Sequence, residues 1–375
     1  VPNLSQNGCS VWVTSSTELA LTPTAVALGK FDGVHRGHQR VIQPILKDRV
    51  TQGQGDASED MATGRHSDTE NLTTSPTHRV TASGEAALSK DHIYSTVVTF
   101  DPHPQEFFTG QPRSLLTPLD EKVHQLRSLG VQQLVLLPFD KELCALTPEE
   151  FVEKILVQQL QAAQISVGQD FRFGSKRTGT AHDLQIIAAK YNIPVSIASL
   201  ETCAESPENY TEVHQQARIS SSLIREILAS GDIEQANQLL GRPYTLIGTV
   251  IKGQQLGRTI GFPTANLELP KDKFLPHTGV YAVRVFTISE TLDITGNGYF
   301  GVMNIGNRPT VNGVHLSVEV HLFDWFGDLY GKKLAVHLEK FLRPEQKFPN
   351  LEALKIQIHL DCTAARDFFK LSVEC

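Results

Sequence analysis

The feature that most constrains this chain is a change of hydrophobic rhythm near Tyr244. From Ala25 to that point, short apolar runs alternate with stretches of helical period. Ala25-Val-Ala-Leu28, Thr96-Val-Val-Thr-Phe100, Gln133-Leu-Val-Leu-Leu137 and Pro194-Val-Ser-Ile197 read as buried strands. Between them lie helix candidates such as residues 37–49, which Pro44 kinks or ends, and residues 147–161. The second opens on Thr147 as cap, with Pro148 first in the helix and Glu150 completing a capping box. Buried strands interleaved with helices predict an α/β domain built on a parallel sheet. Past Tyr244 the period is two: Val314, Leu316, Val318, Val320 and Leu322 share one face of a strand, with His315, Ser317, Glu319 and His321 on the other. Residues 279–288 and 333–342 also read as strands, and their Gly- and Pro-rich turns predict a small antiparallel β-barrel. A closing helix follows, capped by Asn350, with Leu351, Leu354, Ile358 and Phe368 expected inward. The 375 residues thus divide into domains at 1–241 and 242–375.

Residues 51–91 break the first rhythm. They are rich in Ser, Thr, Gly, Asp and Glu, with Leu72, Val80 and Leu88 as the large aliphatics, too few to offset the entropy of ordering. The expectation is a disordered insertion whose His66 and His78, with His92 just beyond it, are solvated rather than metal ligands. Lys plus Arg number 34 against 41 Asp plus Glu, a net charge of −7, which argues against a general nucleic-acid binder while leaving room for a local basic pocket. The five cysteines are dispersed without a C-x-x-C pair and read as reduced thiols. No apolar run approaches the length of a membrane span, and the first residues lack a signal-peptide layout. A cytoplasmic protein without membrane or nucleic-acid partners is expected.

Two constellations carry chemistry. In Gly29-Lys-Phe-Asp-Gly-Val-His-Arg-Gly-His38 a strand turns into a helix, so free N–H groups and the positive helix end can face a phosphate. His35 and His38, three apart, project from one side of the first turn and can stabilise charge moving onto a leaving pyrophosphate. Alone, the run is also compatible with a glycine turn bearing two surface histidines. Further on, Arg218-Ile-Ser-Ser-Ser-Leu-Ile-Arg225 offers consecutive hydroxyls at a helix entrance and a guanidinium one turn in, although a plain Ser cap would look the same. No G-x-x-x-x-G-K-[ST] run occurs.

The second constellation, Gly253-Gln-Gln-Leu-Gly-Arg-Thr-Ile-Gly-Phe-Pro-Thr-Ala-Asn266, joins a glycine-rich loop to neutral oxygen donors suited to Mg²⁺, Thr264 and Asn266. Glu319, on the polar face of its strand, is placed to accept the proton of an attacking hydroxyl, or is simply one carboxylate on a solvated face.

The histidine run and the later Ser-Ser-Ser-x-Ile-Arg run resemble the H-x-G-H and I-S-S-T-x-x-R motifs of nucleotidyltransferases, with Ser222 in place of the usual Thr. Thr99-Phe-Asp-Pro-His-Pro104 and Val167-Gly-Gln-Asp-Phe-Arg-Phe-Gly174, continuing to Arg177 and Gly179, resemble the N-terminal half of bacterial bifunctional FAD synthetases. Lys30 stands where many relatives have Asn. Gly241-Arg-Pro-Tyr244, Gly261-Phe-Pro-Thr-Ala-Asn266, Gly279-Val-Tyr281, Asn304-Ile-Gly-Asn-Arg-Pro-Thr310, Glu319-Val-His321 and Phe341-Leu-Arg-Pro-Glu345 follow the order found in riboflavin kinases. The chain therefore resembles the bifunctional riboflavin kinase/FMN adenylyltransferase family.

That resemblance implies a Rossmann-like nucleotidyltransferase domain followed by a riboflavin kinase barrel. It implies phosphorylation of riboflavin to FMN by ATP with Mg²⁺, then adenylylation of FMN to FAD. It further implies roles for His35, His38, Arg225 and Glu319 in catalysis, and for Gly29, Phe31, Asp32, Gly33, Gly37, Ser220, Ser221 and Gly257 in holding ATP. By the same resemblance Thr264 and Asn266 hold Mg²⁺–ATP and Arg343 helps close the flavin site. Retention of only one activity, adenylylation of a different phosphate ester, a non-catalytic flavin-binding module and an RNA-related protein remain as alternatives at this level. Oligomeric state is not legible. Because the insertion falls between motifs, replacing residues 51–91 by a short linker should leave FMN and FAD formation near the parent rates; a folded deletion lacking either activity would contradict the reading.

Overall fold

The structure is a computed structural model, and it describes residues 11–49, 92–202, 217–253, 256–289, 293–310 and 313–371. The segment 51–91 lies outside the described residues. Six strands form a wholly parallel sheet in the order β1-β4-β3-β2-β5-β8: β1 (Trp12–Thr14), β2 (Thr24–Leu28), β3 (Tyr94–Asp101), β4 (Gln133–Pro138), β5 (Ala162–Gly168) and β8 (Val195–Ala198). All five residues of β2 are buried, as a central strand covered on both faces requires. Its Val26 and Leu28 pack into one cluster and its Ala25 and Ala27 into another, so the sheet separates two cores. Each expected strand is present within a residue or two. The short β1 and the more polar β5 were not among them. A small hairpin, β6 (Arg172–Phe173) with β7 (Gly179–Thr180), sits beyond β5.

The helix expected at 37–49 is α-helical only over Arg36–Ile42 and tightens to a 3₁₀ turn over Gln43–Arg49, the change falling beside Pro44. The Thr147/Glu150 capping box is formed in both directions, and the helix it starts continues over Phe151–Gln159 with wider i→i+5 bonding. Helices Ser221–Ser230 and Ile233–Leu240 end on Gly231 and Gly241. Both glycines have positive φ, the cap conformation that a side chain resists.

The second half is a closed antiparallel barrel in the order β10-β13-β12-β11-β14-β9: β9 (Tyr244–Ile251), β10 (Ala265–Glu268), β11 (Gly279–Ile288), β12 (Ile294–Thr310), β13 (Gly313–Leu322) and β14 (Lys333–Pro344). Its strands alternate as expected, but several are apolar on both faces. On β11, Tyr281, Val283 and Val285 fill the barrel, while Val280 and Ala282 pack outward under the C-terminal helix Leu351–Phe369. Val318, Val320 and Leu322 of β13 are buried, whereas Leu316 is exposed where the strand outruns its cover. The run Gly296-Asn-Gly-Tyr-Phe-Gly301 matches a dinucleotide fingerprint by letter only, because it lies inside β12 instead of between a strand and a helix.

The barrel interior is not self-contained. One core cluster joins it to Leu116 and to Ile224, Ile227, Leu228, Ile233, Leu239 and Leu240 of the two helices before it. Outward-facing Ile247, Ile288 and Ala335 of the barrel join Val123 and Leu126 of helix Leu119–Ser128 in a core of the first half.

Asn350 caps the final helix as expected. Leu351 and Phe368, however, are exposed, and the buried face is Asp361, Cys362 and Ala365, with Ile358 and Phe369 packed beside them. The helix is thus held by a small apolar patch against Val280, Ala282, Val302 and Phe323 together with a buried ion pair. Arg343 at the end of β14 donates from Nε and Nη2 to both oxygens of buried Asp361, at 2.8 and 2.7 Å. Breaking such a pair leaves a charge stranded, so Asp361→Ala should cost about 3 kcal/mol, read as a lowered urea midpoint.

Candidate active sites

The loop between β2 and helix Arg36–Ile42 is held in a conformation it would not adopt unaided. Phe31 and Val34 have φ of 46° and 42°, the left-handed region that bulky residues avoid. Side chains from distant segments maintain it. Asp32, 2 % exposed, accepts the N–H groups of Leu116 and Thr117 at 2.8 and 3.3 Å on one oxygen, and Arg225 pairs with the other. Thr117 Oγ1 accepts from Gly33 N–H at 2.9 Å, Ser221 Oγ donates to the Asp32 carbonyl at 2.7 Å, and Arg242 donates to the Gly33 carbonyl at 2.8 Å.

This loop forms one wall of a cavity of about 820 Å³ above the sheet's C-terminal edge. Gly29, Phe31, Asp32, His35, Gly37, His38, Ser220 and Ser221 all line it; Gly33 and Arg225 do not. Gly33, with φ of 95°, is turned against Leu116. Arg225 lies in an adjoining groove of about 440 Å³ with Arg113, Ser114 and Phe274. Its guanidinium is committed to Asp32 and, at 3.0 Å, to the Ser114 carbonyl. Ser220 is the helix cap, accepting from Leu223 N–H at 3.2 Å.

The rings of His35 and His38 stack with centroids 3.7 Å apart, and His35 Nδ1 accepts the His38 backbone N–H at 3.3 Å. Burial pushes the His38 imidazole down to about 3, helped by the positive charges of Lys122 and Arg218. Burial, then His38, holds His35 well below the usual range. Both rings are therefore neutral near pH 7, and His38 Nδ1 is buried with no partner among the described residues. Positive charge comes from elsewhere: Lys30, Arg113, Arg172, Lys176, Arg177 and Arg218 all line the cavity. Lys30 is lowered by burial and by the like charges of Arg177 and Arg113. His103 is lowered to about 4 by burial and Arg113. Crowded cations of this kind are relieved by a polyanion. Phe100, Phe108 and Phe139 line the same cavity: Phe100 and Phe108 meet Phe139 edge-to-face at 5.6 and 5.8 Å, Phe107 packs on Phe139 from outside the lining at 5.4 Å, and Phe108 is 70 % exposed. Arg113, Lys176, Phe108 and Phe139 were missed from sequence because they come from separate segments; Arg218 headed a run quoted for its serines and Arg225, and His103, Arg172 and Arg177 stood in runs quoted only for their likeness.

On the barrel, the outer face of β10 and β13 brings together Thr264, Asn266 and Glu319. Asn266 is the register partner of Glu319, and Asn304 of β12 lies on its other side. Thr264 Oγ1 donates to Glu319 Oε2 at 3.3 Å. A Cβ added at Gly253 would stand 2.3 Å from Asn266 Nδ2, and one at Gly257 would stand 2.2 Å from the Phe262 carbonyl and 3.3 Å from Thr264 Oγ1. Gly253 and Gly257 thus lie close against Asn266 and Thr264 respectively. His321 Nδ1 lies 2.9 Å from the Pro263 carbonyl, fixing the approach to Thr264. Arg343 is not open to a ligand: its guanidinium faces Asp361. No cluster of three His, Cys, Asp or Glu able to cage a metal exists among the described residues.

The riboflavin kinase family model matches residues 240–369, and the FAD synthetase model matches 18–55 and 79–208, skipping part of the 51–91 segment. The bifunctional riboflavin kinase/FMN adenylyltransferase of Escherichia coli K12 is 36% identical over 92% of this chain and 93% of its own length. Its namesakes from Haemophilus influenzae and Bacillus subtilis are 34% and 33% identical over 92% of this chain, covering 94% and 92% of their own lengths. The chain belongs to the bifunctional riboflavin kinase/FMN adenylyltransferase family. Among solved structures, a Streptococcus pneumoniae chain described as a macrolide-efflux protein superposes with a TM-score of 0.70 at 26% identity, over 95% of this chain and 99% of that one. No described helix here is long and apolar enough to cross a membrane.

The neutral histidines set a pH signature. A buried imidazole with a depressed pKa leaves the unfolded chain binding more protons, so stability is full above the ordinary 6.5 and is lost as pH falls towards about 3. Urea midpoints should drop between pH 7 and pH 5, and His38→Asn should shrink that drop; the imidazole NMR signals of His38 should not titrate above pH 5.

Proposed function

We propose that the chain divides its two family activities between these sites: the barrel phosphorylates riboflavin to FMN, and the sheet-edge cavity transfers AMP from a second ATP to FMN, giving FAD and pyrophosphate. The observation that carries the reading is the cavity, whose cationic wall, stacked neutral imidazoles and aromatic wall lie in one space of about 820 Å³. Such a volume suits a nucleotide and a flavin together. Phe108 and Phe139 offer faces to an isoalloxazine ring, while Lys30, Lys176 and Arg177 draw in phosphates and Arg218, paired with Asp170 at 2.6 Å, borders them.

Adenylyl transfer then needs no protein nucleophile. The FMN phosphate attacks the α-phosphorus, and negative charge grows on the departing pyrophosphate. His35 and His38, being neutral, act there as hydrogen-bond donors, with the field supplied by the surrounding cations. Gly37 permits the backbone to approach: a Cβ there would stand 3.3 Å from the His35 ring. Gly29 lines the same wall and Ser220 holds the helix entrance. Arg225 and Asp32 serve as positioning residues, because their charged groups are spent on one another.

In the barrel, Glu319 accepts the proton of the ribityl 5′-hydroxyl as that oxygen attacks the γ-phosphorus of ATP. The hydroxyl of Thr264 and the amide oxygen of Asn266, cradled by Gly253 and Gly257, are neutral donors that fit Mg²⁺ arriving with ATP and keeping its remaining waters. Mg²⁺ when bound supplies charge neutralisation on the phosphates. Arg343 acts through Asp361, holding the C-terminal helix beside the site. Domains of 1–241 and 242–375 place one activity in each, and substrates that are free metabolites of this kind accord with a cytoplasmic location.

Product analysis tests the division. Glu319→Ala should abolish FMN formation while supplied FMN is still converted to FAD. His38→Ala should do the reverse, so that FMN accumulates. Loss of both activities in either folded variant would refute it.

A further inference from the structure

We propose that Lys273, contributed by the barrel half, is a positioning residue for adenylyl transfer in the other half. The proposal rests on the assignment of that reaction to the cavity walled by His35 and His38. Lys273 follows β10 in a loop that leaves the barrel and pairs with residues 114–117. Leu115 N–H donates to the Asp272 carbonyl, and Phe274 N–H donates to the Leu115 carbonyl at 2.8 Å. Between these bonds the Lys273 side chain, 1 % exposed, enters the boundary. Its ammonium donates to the Leu116 carbonyl at 2.8 Å, the Thr245 carbonyl at 2.8 Å and Glu121 Oε2 at 2.5 Å, and it lies 4.2 Å from the centre of the Tyr244 ring. Three acceptors exhaust its three protons.

The Leu116 carbonyl matters because of what its neighbours hold. Leu116 N–H and Thr117 N–H are the donors that fix Asp32, and the Thr117 hydroxyl takes the N–H of Gly33. From Lys273 Nζ to the strained loop bearing His35 and His38 there is thus one intervening strip of chain, residues 114–117. On its other edge Arg225 ties Ser114 to Asp32. Without the ammonium, the strip keeps its two backbone bonds to the barrel but loses the shorter of the two contacts that hold the 116–117 peptide, leaving only the 3.3 Å bond from Thr117 N–H to Asp32. The loop's left-handed Phe31 and Val34 have no local reason to keep their conformation, so that freedom reaches the imidazoles. The kinase residues are outside this chain of contacts: the hydrogen bonds of Thr264, Glu319 and His321 described above involve none of the groups that Lys273 touches.

A simpler role would be to neutralise Glu121, whose other oxygen accepts the Ile247 N–H at 3.1 Å. Two variants of the full chain separate the roles. Lys273→Met keeps the length of the side chain and removes its donors. The double variant Glu121→Met/Lys273→Met removes both members of the ion pair, so no carboxylate is stranded. With supplied FMN, ATP and Mg²⁺, Lys273→Met should lower kcat for FAD formation by about tenfold to a hundredfold, while KM for ATP and the rate of riboflavin phosphorylation stay within about twofold. The double variant should recover thermal stability without recovering FAD formation.

Normal FAD formation in either folded variant would overturn the proposal, the double variant deciding alone if the single one does not fold. An equal fall in both activities would also overturn it, since it would show general damage. A parent chain that makes no FAD from FMN would overturn the functional assignment first; an active parent indifferent to Lys273 would overturn this inference alone.

Discussion

The buried carboxylate of Asp32 is the contact on which the first site depends. It lies in a loop whose Phe31 and Val34 occupy left-handed conformations, and such a loop persists only when more partners fix it than it has ways to relax. Asp32 gathers those partners from far apart in sequence: Leu116 and Thr117 before one helix, and Arg225 within another. Its charge is worth burying because it is fully engaged, a guanidinium on one oxygen and two peptide N–H groups on the other. The imidazoles gain their placement as a consequence.

The barrel solves a different problem. Its inner face is a packed core, so chemistry is confined to the outer face, which is apolar along β11 and β12 where the C-terminal helix covers it. Thr264, Asn266 and Glu319 lie on the strands next to that cover. The helix bounds the site through a salt bridge buried at its centre and leaves Leu351 and Phe368 in solvent. That arrangement explains why the final helix carries so weak an aliphatic stripe and still docks in one register.

How far the sequence revealed this depended on whether the signal was local. The parallel sheet and the barrel were legible because periodicity is a property of neighbouring residues, as in β2 and the inner positions of β13. The Thr147 and Asn350 caps and the Pro44 break were legible for the same reason. His35, His38, Thr264, Asn266 and Glu319 were found through motifs, and the structure brings them into two groups. What escaped was pairwise and long-range. Nothing near Arg343 announces Asp361, and nothing near Asp32 announces Arg225, so two guanidiniums expected to face ligands instead face carboxylates. Of the cavity-wall cations, Arg113 and Lys176 escaped because each is an ordinary surface residue until the fold brings them together, whereas Lys30, Arg172, Arg177 and Arg218 stood within quoted runs. The inward face of the last helix was read correctly at Ile358 and wrongly at Leu351 and Phe368, because a buried Asp was not anticipated there.

The core shared across the midpoint of the chain has a consequence for how such a protein can be divided. Ile224, Ile227, Leu228, Leu239 and Leu240 belong by sequence to the first half and by packing to the interior that the barrel completes. Severed at the linker, the first half would carry an oily surface of several side chains into water, the kind of patch that drives self-association. A first half made without the barrel is therefore expected to self-associate through side chains that the barrel now covers.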